Sequence, residues 1–273
     1  MFKSKKVILI AIIAIIAIAV PVWNAQNSSA CDQVKDGVLT IATDDPAYEP
    51  WFSENNPANG KGYEGAVAYA IAAELGYSAD QVEWVRVPFN NVVTPGCKTF
   101  DFDINQFSIT PERAEVVDFS SSYFDAPQAV ITTANSKIAG AKSLADLKDA
   151  KLGAQVGTTS YNAIIDTIKP NQDPAVFDTN DVAKQALANG QIDGLIVDLP
   201  TAFYITAAEL ENGLIVGQLS GGTGGDQFGV VLPKGSALTK DVTAAIDALR
   251  ANGTLAKIAA QWLAASANAP VLK

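Results

Sequence analysis

The sequence predicts an α/β protein. Short apolar, β-branched runs alternate with helical stretches, and glycine or Asn-Gly pairs punctuate the joins. Of 273 residues, 48% are hydrophobic and 18% charged, a balance that fits a packed core and excludes a disordered chain. The length suits one large domain or two of roughly 120 residues each. Acidic residues number 29 against 19 Lys and Arg, for a formal charge of -10, and so acidic a body is unsuited to nucleic acid. There is no histidine, which excludes Ser-His and Cys-His nucleophile pairs and His-ligated metal sites. Two cysteines cannot build a four-thiolate zinc site. No metal or cofactor is expected.

The chain opens with an export pattern. Lys3, Lys5 and Lys6 precede an unbroken apolar run from Val7 to Val20, and Pro21 stops it. The run is shorter than the roughly 20 residues a spanning helix wants, so residues 1–30 are expected to be a signal peptide. Ser28 and Ala30 suit a cut before Cys31, and Ala25 offers an earlier one. Cys31 then has two possible roles, a lipidated membrane anchor or a disulfide to Cys97. Ser28 stands where a lipidation signal usually carries an apolar residue, and an oxidising compartment suits the disulfide, which is the expected pairing.

The elements follow in order. Val38–Ala42 reads as a buried strand, and Glu64–Leu75 as a helix with Val67, Ile71 and Leu75 at four-residue spacing, ended by Gly76. Val82–Val87 and Phe100–Ile104 alternate as strands. In the latter, Asp101 and Asp103 fall on the face opposite the aromatic residues, so they are expected on a solvated face rather than as catalytic acids. Leu144–Leu147 reads as one helical turn capped by Ser143, and Lys151–Val156 as a strand leading through Gly157-Thr158-Thr159-Ser160 into a helix ending near Ile168. Val182–Ala188 is helical, Ile192–Val197 a buried strand and Leu199–Leu210 a helix. After the glycine run at 221–225 come a strand, Phe228–Leu232, and two helices, Thr239–Ala251 and Thr254–Leu263, parted by Asn252-Gly253. Neither glycine cluster carries the lysine of a phosphate loop, which leaves no nucleotide motif.

Several segments together resemble the periplasmic solute-binding proteins of polar amino-acid ABC importers. They are ATDDPAYEPW at Ala42–Trp51, ITPER at Ile109–Arg113, QVGTTS at Gln155–Ser160, QIDGLIVDLP at Gln191–Pro200, FGVVLPKGS at Phe228–Ser236 and LRANGTLAKIAAQWL at Leu249–Leu263. The resemblance runs from about Gly37 to Leu263. It implies two α/β lobes joined by two crossover segments with the ligand between them. The first lobe is placed at 32–124 plus 229–273 and the second at 128–224, with hinges near 124–128 and 225–229.

The same resemblance implies a site. Arg113 matches the arginine that holds the ligand's α-carboxylate, for which a planar guanidinium fork is well shaped. Ser108 adds a hydroxyl, and Thr158 and Thr159 face it from a strand-to-helix turn whose free N–H groups favour an anion. Asp198 matches the acid that takes the α-ammonium. Tyr48, Trp51 and Phe89 match aromatic walls, and Asp45, with Gln155 beside it, the far end of the ligand's side chain. Gln106 stands where relatives often carry Gly or Ser, and Gln155 where some carry Lys, so side-chain selectivity does not transfer.

The expected function is capture of an amino acid outside the cytoplasm, by a monomer that delivers it to a membrane permease. An exported dehydratase of the cyclohexadienyl or arogenate type on the same fold is the enzymatic alternative, and a ligand-sensing domain the third.

Overall fold

A computed structural model describes residues 33–219, 226–263 and 269–273. The expected signal peptide, Cys31 and the glycine run at 221–225 lie outside them. Among the described residues no cysteine is free, and no helix is long and apolar enough to cross a membrane.

Two sheets organise the chain. The first uses β1 (Leu39–Thr43), β2 (Val82–Arg86) and β3 (Phe102–Asp103), with α1 (Tyr63–Glu74) between β1 and β2 and the single turn α2 (Phe89–Val92) before β3. Another single turn, α3 (Pro111–Ala114), leads to β4 (Val117–Ala126). Pro127 then carries the chain into the second sheet at β5 (Gln128–Thr133). There follow β6 (Leu152–Gln155), α4 (Thr159–Ala163), β7 (Ala175–Phe177), α5 (Asn180–Ala188), β8 (Gly194–Asp198), α6 (Leu199–Tyr204) and β9 (Gly213–Leu219). The chain returns through β10 (Asp226–Pro233), α7 (Thr239–Ala251) and α8 (Thr254–Trp262), and ends in β11 (Val271–Leu272).

The first sheet has the order β2-β1-β3-β10-β4, and the second β11-β9-β5-β8-β6-β7. β1 runs parallel to β2 and β3, whereas the long β10 pairs antiparallel with β4 from Asp226↔Ala126 to Pro233↔Val117. The apolar face of α1, with Val67 and Ile71, packs with Leu39, Ile41 and Phe102 from one side of the sheet and with Val242 and Ile246 of α7. The second sheet carries an apolar cluster on each face, one around Ile131, Leu195 and Leu187, the other around Ile196, Leu152 and Ile168.

Three expectations about organisation are corrected. Residues 226–229 belong to β10 and are laddered to β4, so the change of sheet falls between Leu219 and Asp226 rather than at 225–229. The C-terminus does not stay with the first lobe: Val271 and Leu272 pair parallel with Gln218 and Leu219 of β9, and Leu272 is 1% exposed in the second lobe's core. Burying a leucine there contributes roughly 1.5–3 kcal/mol, which suffices to hold a short terminal strand. Asp101 and Asp103 are not on a solvated face. Asp101 accepts from the backbone N–H groups of Val34 and Thr40 at 2.9 and 2.7 Å, and Asp103 is fully buried with neither oxygen partnered. The physical reason is that this face is covered as well, by Val92, Phe107 and Val117 packed over Ala42 and Val231.

Candidate functional site

The carboxyl ends of β1, β3, β6 and β8 converge on a cleft between the lobes, the usual place for a ligand in open α/β sheets. Arg113 reaches it from α3, whose Thr110 cap accepts from the Arg113 N–H at 3.2 Å and whose Pro111 starts the turn. Its guanidinium lies over Phe89 and Phe107, 5.5 and 5.4 Å from their centroids, and those rings stack on each other at 4.2 Å. One terminal nitrogen donates to the Ser108 carbonyl at 2.8 Å and the other to the Gly157 carbonyl of the second lobe at 2.9 Å. Burial lowers its pKa, opposed by Asp226 and Asp198.

Asp198 arrives from the opposite lobe, at the end of β8 and the start of α6. Burial, followed by the nearby Asp226, pushes its carboxyl up to about 8, against a hydrogen bond from Gln128. A second contact crosses the cleft between the hydroxyls of Ser108 and Thr159, 3.0 Å apart. Thr158 caps α4, accepting from the Tyr161 N–H and donating to the Gln155 carbonyl. Gly157 sits at φ 75°, in the left-handed region that favours glycine, and a Cβ there would come within 2.3 Å of Asn90 Oδ1 from the other lobe.

Of the residues singled out in the sequence, Tyr48, Phe89, Ser108, Arg113, Gln155, Thr158, Thr159 and Asp198 line this one cleft. Two do not. Asp45 is exposed, and the acid at the cleft is its neighbour Asp44. Trp51 is not a wall but core: it is fully buried and edge-on to Tyr63, Phe124 and Phe228 at 5.6–5.9 Å. Its indole N–H still reaches the second lobe, donating to the Thr201 hydroxyl at 2.9 Å. Phe89 lines the cleft, but its face supports Arg113 and Phe107.

Sequence reasoning missed Asn105, Ser160, Asn180 and Thr201, and left Gln106 in doubt; all five line the cleft. Ser160 and Thr201 each stand one to three residues from an assigned position, a signal that was available. Gln106 sits at φ 46° and is held there by Glu64 of α1. The Glu64 carboxyl accepts from the Gln106 N–H at 2.7 Å, from the Gln106 side-chain amide and from the Tyr123 hydroxyl. Burial pushes Glu64 up to about 7. The cleft is thus lined by one guanidinium, Arg113, and two acids, Asp198 and Asp44. Charged groups of both signs in one cleft suit a zwitterionic ligand.

Residues 39–265 match the family model of bacterial extracellular solute-binding proteins, family 3. The chain is 25% identical over 262 residues to the arginine-binding extracellular protein ArtP of Bacillus subtilis (strain 168), covering 94% of this chain and 98% of that one. Among solved structures it is similar to an ancestral arginine-binding protein bound to glutamine, with a TM-score of 0.69, 29% identity, and coverage of 84% of this chain and 98% of the other. An ancestral amino-acid-binding protein described as a precursor of cyclohexadienyl dehydratase matches with a TM-score of 0.67 and 29% identity, over 83% of this chain and 95% of that one.

Proposed function

The chain belongs to the bacterial extracellular solute-binding proteins of family 3, and on that premise we propose that it binds an amino acid in the cleft between its lobes and delivers it to the permease of an ABC importer. One observation carries the reading. Arg113 from the first lobe and Asp198 from the second, a guanidinium and a carboxyl that are both half-buried, meet in one cleft. Removing water from a zwitterion is tolerable only where each charge finds an aligned opposite partner, and these two supply one for each end. The ligand thereby ties the lobes together.

The protein works outside the cytoplasm as a monomer, after loss of residues 1–30 and with Cys31 bridged to Cys97. Asp44, a further acid on the cleft wall, favours a ligand with a cationic side chain. A thermal-shift screen against the common L-amino acids tests the reading: a ligand at 100 times its Kd stabilises by about 2.7 kcal/mol. No shift with any of them would count against it.

Dehydratase activity is the second reading, favoured by the ancestral precursor's similarity and by the high pKa of the Asp198 carboxyl, which suits a proton donor. Turnover of prephenate or arogenate would establish it; no turnover leaves binding as the function.

A further inference from the structure

A second acid stands beside Asp198. Gln128 opens β5 directly after the first crossover, and Asp226 opens β10 directly after the second. The Gln128 amide joins the two acids: Nε2 donates to Asp198 Oδ1 at 2.7 Å and to Asp226 Oδ2 at 2.9 Å. Its Oε1 accepts from the Ser160 hydroxyl at 2.6 Å, which fixes the way the amide faces. Both amide hydrogens are therefore spent, one per acid, and the two carboxyls lie within one amide's span. Asp226 Oδ2 also accepts from the Ser108 hydroxyl at 3.3 Å.

The charged groups that face Asp198 are Asp226 from β10, Glu64 from α1 and Arg113 from α3. That is one cation against two acids besides Asp198 itself. With a second carboxyl this close and burial acting in the same direction, Asp198 keeps its proton. The direction of the Asp198 shift agrees, since Asp226 is its largest cause after burial.

We propose that Asp198 and Asp226 form a two-carboxylate ammonium site, which holds one proton when empty and exchanges it for the ligand's α-ammonium. This rests on the amino-acid reading above. In the exchange the O–H bond of the Asp198 carboxyl breaks and its electron pair stays on oxygen. The proton leaves to solvent, and the oxygen accepts an N–H from the ammonium. Total charge is conserved, and nothing is oxidised or reduced.

The site makes binding release a proton. Titration calorimetry at pH 7 with L-arginine and L-glutamine, each in two buffers of different ionisation heat, reads that release directly. The expected value is about one proton per ligand bound, with affinity rising about tenfold per pH unit between pH 6 and 7. Asp226→Asn leaves Asp198 without its acidic neighbour, so the variant binds with proton release cut to less than about half. Should that variant fail to fold, the wild-type pH profile still decides. Binding without proton release, a flat profile, or unchanged release in a folded Asp226→Asn overturns the two-carboxylate site and leaves the amino-acid reading standing. If no common L-amino acid binds in the thermal-shift screen, the binding reading falls, and this site with it.

Discussion

The indole N–H of Trp51 donates to the Thr201 hydroxyl at 2.9 Å, and the two residues belong to opposite lobes. Trp51 is fully buried, so separating the lobes breaks this bond while the indole's body stays packed in the first core. Thr201→Val keeps the shape and removes the acceptor. An unsatisfied buried donor costs about 1–3 kcal/mol. The variant is expected to bind about tenfold more weakly, mainly through faster dissociation in stopped-flow Trp fluorescence. Unchanged kinetics would show that the contact is incidental.

Arg113 and Asp198 are expected to dominate recognition of the ligand's backbone. Truncating either leaves a buried ligand charge unpaired, at a cost of roughly 2–5 kcal/mol. Arg113→Ala and Asp198→Ala should each weaken binding by about 30-fold or more, with circular dichroism unchanged. Calorimetry that finds Arg113→Ala within about threefold of wild type would place the carboxylate elsewhere.

Asp44 is expected to set the side-chain preference. L-arginine and L-citrulline have nearly the same shape but differ in charge, so their affinity ratio isolates the electrostatic contribution. The wild type should favour arginine by about tenfold or more, and Asp44→Asn should reduce that ratio to about threefold or less, since charge-assisted hydrogen bonds are worth roughly twice neutral ones. Equal affinities in the wild type would assign Asp44 a structural role.

Stability should fall as pH rises. Burial lifts Glu64 to about 7 and Asp198 to about 8, both above their unfolded values near 4. Between those limits the folded state holds protons that the unfolded chain has released, so these two groups make unfolding free energy decline from about pH 4 to pH 8, after which it levels. Glu64→Gln should remove a share of that slope on the order of 3 kcal/mol. Asp103, also raised well above its usual value by burial, has no partner to lose. Asp103→Val should stabilise the fold by about 1–3 kcal/mol, or about 2–4 °C of Tm per kcal/mol. Urea denaturation across that pH range checks both, and stability that climbs from pH 5 to 8 would contradict the assignment.

Much of the first lobe was legible because its elements obey local rules. β1 is a fully buried run of apolar and β-branched residues, α1 repeats its apolar residues every fourth position, and Asn252-Gly253 separates α7 from α8. The strands that build the crossover were not. β4 contains three consecutive serines and β9 begins with glycine, so neither carries a strong strand signal. Their partners lie far along the chain, and pairing of that kind outweighs local propensity. The acids of β3 were misread for a related reason. Alternation says which residues share a face but not whether the other face is wet. At the cleft, motif order picked out Arg113 and Asp198, which both line it, yet the step from Asp45 to Asp44 turns on how the loop leaves β1, and one residue of register reverses the side a group faces.

The return of Val271 and Leu272 to the second sheet gives the chain three passages between the lobes instead of two. Bodies joined only along a pair of adjacent strands keep two freedoms, bending across that line and twisting about it. A third linkage, anchored at the outer edge of the second sheet, opposes the twist and caps the bend. In a protein whose lobes separate, such a linkage favours a single opening coordinate. The final residues would then act on how far the lobes separate before they act on what the cleft holds.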